Sequence, residues 1–186
     1  MASTPGTSRS VLVFTGSRHG ADPAYAAAAE ALGAEIARRG CWLVYGGGRV
    51  GLMGVVADAA MEAGGEVLGV IPDHLQTEEV AHPGLTDLEI TGSMHERKAR
   101  MYELADAVVV LPGGLGTLDE LFETLTWNQL GLHQVPVGIL DAAGYWRPLV
   151  ELLDRSVEAG FVDAAQIAAI TVGSEPVLLL DALEAR

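Results

Sequence analysis

The sequence predicts a Rossmann-like, doubly wound α/β fold: one domain, with a parallel sheet covered by helices on both faces. Three observations lead there. Short apolar, β-branched runs alternate with helix-compatible segments of about ten residues or more, the spacing that βαβ crossovers require. Glycine clusters at 16–20, 46–51 and 113–116 each follow such a run directly, where a doubly wound sheet binds ligands beyond its strand ends. Aromatic residues are only 5% of the chain while Ala and Gly are abundant, which suits close packing of helices on a sheet.

Residues 1–10 are small and polar and read as a disordered tail, leaving 11–186 as the domain. The first apolar run is 11–15, followed by Gly16-Ser17-Arg18-His19-Gly20 and an alanine-rich helix over about 23–39 that Gly40 stops. A second strand at 41–45 leads through Gly46-Gly47-Gly48 to a helix over 51–63, ended by Gly64-Gly65. Strand three is expected at 66–71. From 72 to 91 there is little helical period, and so long a loop in a compact domain is usually functional or mobile. A helix over about 93–105, a strand at 106–111 and a helix starting near Thr117 come next. Then follow a strand at 135–140, a helix over about 145–159, a short strand near 169–172 and a last helix near 175–185.

Composition narrows the function. With 186 residues the chain can bury roughly 70% of its extended surface in one core. A net charge of −14 argues against nucleic acid, which calls for basic patches. The single cysteine, Cys41, lies in an apolar run and reads as a core residue. No apolar run is long enough for a membrane span, and the start lacks the apolar stretch of a signal peptide, so a soluble cytoplasmic protein is expected. His19, His74, His82, His95 and His133 show no ligand spacing, so no metal site is expected.

The segment 106–120 carries the chemistry. Pro112 ends the strand; Gly113, Gly114 and Gly116 can bring backbone N–H groups close to a ligand, with φ > 0 open to them. Thr117 stands where an N-cap belongs and Glu120 three residues later, as in a capping box, beside Leu118 and Asp119. Unpaired N–H groups and the helix dipole favour an anion there. The alternative is a plain helix cap, with Asp119 complementing the dipole. Gly46, Gly48 and Gly51 match the dinucleotide fingerprint in spacing, yet that pattern normally follows the first strand of a fold, not the second. Lys98, the only lysine among eleven basic side chains, adjoins Arg97. The pair reads either as a solvated helix face or as cationic partners of a phosphate; a pyridoxal phosphate enzyme would need Lys98 for its Schiff base. Ser17 reads as a hydrogen-bond donor to a ligand, and Trp127 as core or interface.

Gly46-Gly47-Gly48-Arg49-Val50-Gly51-Leu52-Met53-Gly54, Met94-His95-Glu96-Arg97-Lys98 and Pro112-Gly113-Gly114-Leu115-Gly116-Thr117-Leu118-Asp119-Glu120 together resemble the Lonely Guy family. These are cytokinin-activating phosphoribohydrolases long mislabelled as lysine decarboxylases. The resemblance runs from about residue 10 to about 180. It includes the Gly16-Ser17-Arg18 start and the segment from Thr126 to Gly131. It implies hydrolysis of the N-glycosidic bond of a cytokinin riboside 5′-monophosphate, and of AMP, with no cofactor. Arg97 and Glu120 are then the catalytic pair, while Lys98, the 114–117 loop and Thr126 bind substrate. Glu79 matches a further substrate contact, and Met94 with the 16–18 and 46–48 loops completes the binding set. Leu115 and Gln134 stand where plant forms often have tyrosine and lysine, which bears on base preference. The length and the 126–131 segment resemble the homodimeric branch, with active sites near the subunit interface.

Overall fold

The computed structural model describes residues 9–75 and 81–186. In chain order the elements are β1 (Ser10–Phe14), α1 (Pro23–Arg38), β2 (Trp42–Tyr45), α2 (Gly51–Glu62), β3 (Val67–Pro72), β4 (Asp87–Thr91), α3 (Met94–Glu103), β5 (Ala107–Val110), α4 (Leu115–Leu130), β6 (Val137–Leu140), α5 (Arg147–Glu158), α6 (Ala164–Ala168), β7 (Ile170–Gly173) and α7 (Pro176–Glu184). The strands form one sheet in the order β4-β3-β2-β1-β5-β6-β7, every pair parallel. The expected doubly wound fold is what forms. Its direction of winding reverses between β1 and β5, which opens a crevice at their C-terminal ends.

Alternation along the strands sorts the core into two layers. Val11 and Val13 face α1, α2 and α7, whose Leu32, Ile36, Val56 and Leu179 pack on that side. Leu12 and Phe14 face α3, α4 and α5, meeting Met101, Leu121 and Trp146. Small residues let α1 and α2 approach closely: a Cβ on Gly33 would lie 2.3 Å from the Val56 carbonyl oxygen. Helix starts follow local chemistry. Asp22 caps α1 by accepting from the Ala24 N–H, and Ser93 caps α3 by accepting from the Glu96 N–H. The Glu96 carboxylate in turn accepts from the Gly92 N–H at 2.8 Å.

Three sequence expectations need correcting. The stretch 72–91 is not all loop, because Asp87–Thr91 pairs with β3 as the sheet's edge strand. Its Asp-Leu-Glu-Ile-Thr alternation is polar on one side, as an edge strand requires, and so lacks the continuous apolar run of the inner strands. Helix α6 was also missed; five residues are too few to show a helical period, although Asp163 and Gln166 form a capping box. Finally, β1 begins at Ser10, inside the expected tail, with the Ser10 N–H on the Asp106 carboxylate at 2.8 Å. Residues 1–8 of that tail lie outside the described residues. Cys41 is buried, as its apolar setting predicts.

Candidate active site

The loops at the β1–β5 crevice are tied to one another by backbone. The Gly16 N–H donates to the Pro112 carbonyl at 3.1 Å, and the Leu52 N–H donates to the Gly16 carbonyl at 3.0 Å. The Thr15 hydroxyl also donates to the Pro112 carbonyl, at 3.3 Å. Gly51, with φ at +59°, sits where a Cβ would fall 2.3 Å from the Arg18 nitrogen. So the loops after β1, β2 and β5 form one packed unit.

Within the β5–α4 loop, the expected capping box does not form. Helix α4 starts at Leu115 with Gly114 as its N-cap and no side-chain cap, so Thr117 is the third helical residue. The Thr117 side chain is buried against Gly113, where a Cβ would come within 2.0 Å of its Oγ1. Gly113, Gly114 and Gly116 do not have positive φ either. What the last two supply is room: a Cβ on Gly114 or Gly116 would meet nothing within 4 Å. The N–H groups of the first helical turn, those of Leu115, Gly116 and Thr117, have no acceptor within the helix. Leu118 packs against the core, and Glu120 is half-buried on α4.

Arg97 and Lys98 have different surroundings although they are adjacent. Arg97 is buried, its Nε donating to the Val70 carbonyl at 3.0 Å and its Nη2 to the Gly46 carbonyl at 3.1 Å. Met94 Sδ lies 3.7 Å from Nη1. The guanidinium thus caps the C-terminal ends of β2 and β3. Gly46 makes this possible, since a Cβ there would lie 2.1 Å from Nη2. Gly47 takes φ of +76° and is covered by Ile71 and Leu88, while Gly48 pairs in an isolated bridge with Ala81. Lys98 Nζ donates to Asp119 Oδ2 at 3.1 Å and Glu123 Oε1 at 3.0 Å. Burial pushes its pKa down, but the bonds to Glu123 and Asp119 outweigh that and leave it raised. Its charge is matched by these carboxylates of α4.

A cavity of about 510 Å³ opens between the β1 and β5 loops, lined by Gly16 to Gly20, Tyr25, Leu52, Pro112 to Leu115 and Tyr145. Ser17 and Arg18 are exposed to it, and Leu115 stands at its edge, 86% exposed. Sequence reasoning missed Tyr25 and Tyr145 and gave His19 no role. Tyr145 donates its hydroxyl to the Gly113 carbonyl, and its ring meets Tyr25 edge-on with centroids 5.6 Å apart. Neither tyrosine adjoins a glycine motif in a way that marks it, because Tyr145 reaches Gly113 across 32 residues of chain.

Thr126 is not brought to this cavity. It is exposed on α4, its hydroxyl donating to the Phe122 carbonyl at 2.7 Å, and it lines a separate apolar groove of about 480 Å³ with Leu125, Val162 and Ile167. Trp127 packs on the core beside Tyr102 and His133. Glu79 lies outside the described residues. Among the described residues, no group of three or more His, Cys, Asp or Glu side chains could hold a metal ion, and no helix is long and apolar enough to cross a membrane.

A family model described as possible lysine decarboxylase matches residues 53–183. A cytokinin riboside 5′-monophosphate phosphoribohydrolase of Rhodococcoides fascians is 48% identical over 160 residues, covering 86% of this chain and 81% of the relative. One of Arabidopsis thaliana is 45% identical over 162 residues, 87% of this chain and 75% of its own. Among solved structures, the molybdenum cofactor binding protein of Rippkaea orientalis superposes with a TM-score of 0.71 at 22% identity, covering 97% of this chain and 98% of that one. The molybdenum cofactor carrier protein of Chlamydomonas reinhardtii gives 0.71 at 23%, covering 96% of each. Those two likenesses concern the fold alone. The glycine loops, the Arg97–Lys98 pair and Glu120, taken with the relatives that match over most of their length, make this chain a member of the Lonely Guy family.

Proposed function

We propose that this chain hydrolyses the N-glycosidic bond of nucleoside 5′-monophosphates, cytokinin riboside 5′-monophosphates and AMP among them, to free base and ribose 5-phosphate. The observation that carries it is the open glycine loop at Gly114 and Gly116 with Glu120 one turn further along the same helix. Breaking a ribosyl–base bond builds positive charge on the sugar, as in glycosidase transition states. Glu120 stabilises that charge and orients or deprotonates the attacking water, while the loop holds the 5′-phosphate. Anchoring the phosphate remotely lets its binding energy orient the sugar, so nucleosides are poor substrates. Arg97, bonded to the ends of β2 and β3, positions the floor on which the substrate lies.

The family model's description names a possible lysine decarboxylase, and a pyridoxal phosphate enzyme of that kind needs a neutral lysine amine. The raised pKa of Lys98, between Asp119 and Glu123, favours the ammonium form. We further propose a cytoplasmic homodimer whose interface includes the outer face of α4. Phe122 and Leu130 are 40% and 65% exposed there, Leu132 just past the helix end is 66% exposed, and Thr126 on that helix would reach a partner's site.

Chromatography of products from a panel of nucleoside monophosphates, with the nucleosides as controls, tests the chemistry, its phosphate dependence and base choice together. Glu120→Gln should lower kcat by on the order of 10²-fold or more in a folded protein. Near-normal turnover by that variant would remove Glu120 from the mechanism. Light scattering of the purified protein tests the dimer.

A further inference from the structure

We infer that Arg18 is the residue that reads the 5′-phosphate, and that the cavity it lines is an anion site sized for a sugar phosphate; this rests on the hydrolase reading above. The first argument is charge. The chain carries 25 acidic against 11 basic side chains, yet the residues lining the cavity of about 510 Å³ include no Asp or Glu. They include Arg18, His19, Ser17 and Tyr145. In so acidic a protein, a cavity with an arginine and no carboxylate favours an anionic occupant.

The second argument is elimination by geometry. Arg97 is bonded to two backbone carbonyls and buried. Lys98 is neutralised by Asp119 and Glu123. Arg18 has no hydrogen-bond or ion-pair partner among the described residues and lies exposed at the cavity. Its backbone is nonetheless fixed: a Cβ on Gly51 would fall 2.3 Å from the Arg18 nitrogen, and one on Gly16 would fall 3.2 Å from its carbonyl oxygen. A guanidinium on a fixed base, with its donors unused, offers the planar fork that phosphate oxygens accept in pairs. Gly114, where a Cβ would meet nothing within 4 Å, lines the same cavity. Phosphate held between them would present its ribose toward α4.

The test compares wild type, Arg18→Ala and Arg18→Lys in two assays. In the first, kcat and KM are measured for AMP, or the best monophosphate of the panel, and for the matching nucleoside. Arg18→Ala should raise KM for the monophosphate about tenfold or more while changing kcat/KM for the nucleoside less than about twofold, and Arg18→Lys should recover part of the loss. The salt dependence of monophosphate KM should weaken in Arg18→Ala. In the second assay, calorimetry with ribose 5-phosphate and with inorganic phosphate should show binding to wild type and a loss of about tenfold or more in Arg18→Ala. Equal losses on nucleoside and nucleotide, or ribose 5-phosphate binding that is absent in wild type or unchanged in the variant, would overturn the assignment. If wild type cleaves no nucleotide, the hydrolase reading fails and the binding assay still decides Arg18. Arg49→Ala, on the neighbouring loop and away from the cavity, is the control for a general loss of positive charge.

Discussion

Two glycine loops at the C-terminal edge of the sheet flank the loop after β1, and Gly46 and Gly51 of one serve a different purpose from Gly114 and Gly116 of the other. In the loop after β2, the protein itself fills the space: a Cβ on Gly46 would collide with the Arg97 guanidinium and one on Gly51 with the backbone of Ser17 and Arg18. In the loop after β5, Gly114 and Gly116 face space that nothing fills. A glycine-rich motif can thus mean close packing or ligand access. The difference is visible only in what surrounds the missing Cβ. At Gly46 and Gly51 the space is closed by protein, and at Gly114 and Gly116 it is open.

Substitution by alanine should separate the two cases. The largest effect is expected from Gly46→Ala, which drives Arg97 off the Gly46 and Val70 carbonyls. Losing those bonds from a buried charged group should cost about 2–3 kcal/mol, read as a lower urea midpoint, and activity should fall with it. An unchanged midpoint would break the comparison. Gly116→Ala should do the reverse. Alanine in the first turn of α4 meets no neighbour and favours the helix, so stability should rise by about 0.5 kcal/mol. The added methyl group enters the space assigned to the phosphate, and KM for the monophosphate should increase about tenfold. Gain of stability without any change in KM would place the substrate elsewhere.

The smallest effect lies at the far end of α4. His133 Nδ1 stands 2.6 Å from Asn128 Oδ1 while its Nε2 is buried without a partner among the described residues. Burial pushes its pKa below 6.5. The folded protein therefore holds His133 neutral while the unfolded chain takes up a proton near 6.5. Its contribution is complete above that pH and is lost as the pH falls below it. Urea midpoints at about pH 7.5 and about pH 5.5 should differ less in His133→Phe than in wild type. Equal differences would show that other groups carry the acid sensitivity, and neither glycine loop should respond to this change.

Much of the fold was legible because its signals are local. Strand-length apolar runs, the Asp22 and Ser93 caps and Gly40 after α1 are all short-range, and they led to the correct sheet type and to most of the helices. β4 was lost because an edge strand with alternating polar residues, none of them fully buried, resembles a polar loop, and α6 because a single short helix has no period. At the site, sequence reasoning gathered Gly16, Gly46, Arg97, Gly114 and Glu120 at the same edge of the sheet. It also read a capping box at Thr117 and Glu120 that the fold does not use, because α4 begins two residues earlier, at Leu115. Tyr25 and Tyr145 carried no sequence signal of their own.

By itself, then, the sequence determined the inner strands and the longer helices, where the chain can turn without a side chain, and which family motifs it bears. These depend on residues within a few positions of one another. Only the tertiary structure decided which of Arg18, Arg97 and Lys98 is left without a partner among the described residues. The carbonyls that hold Arg97 lie 27 and 51 positions away, and the carboxylates that hold Lys98 lie 21 and 25 away. Whether a charge is available to a ligand is set by long-range partners that compete for it, and those partners meet only when the sheet has formed.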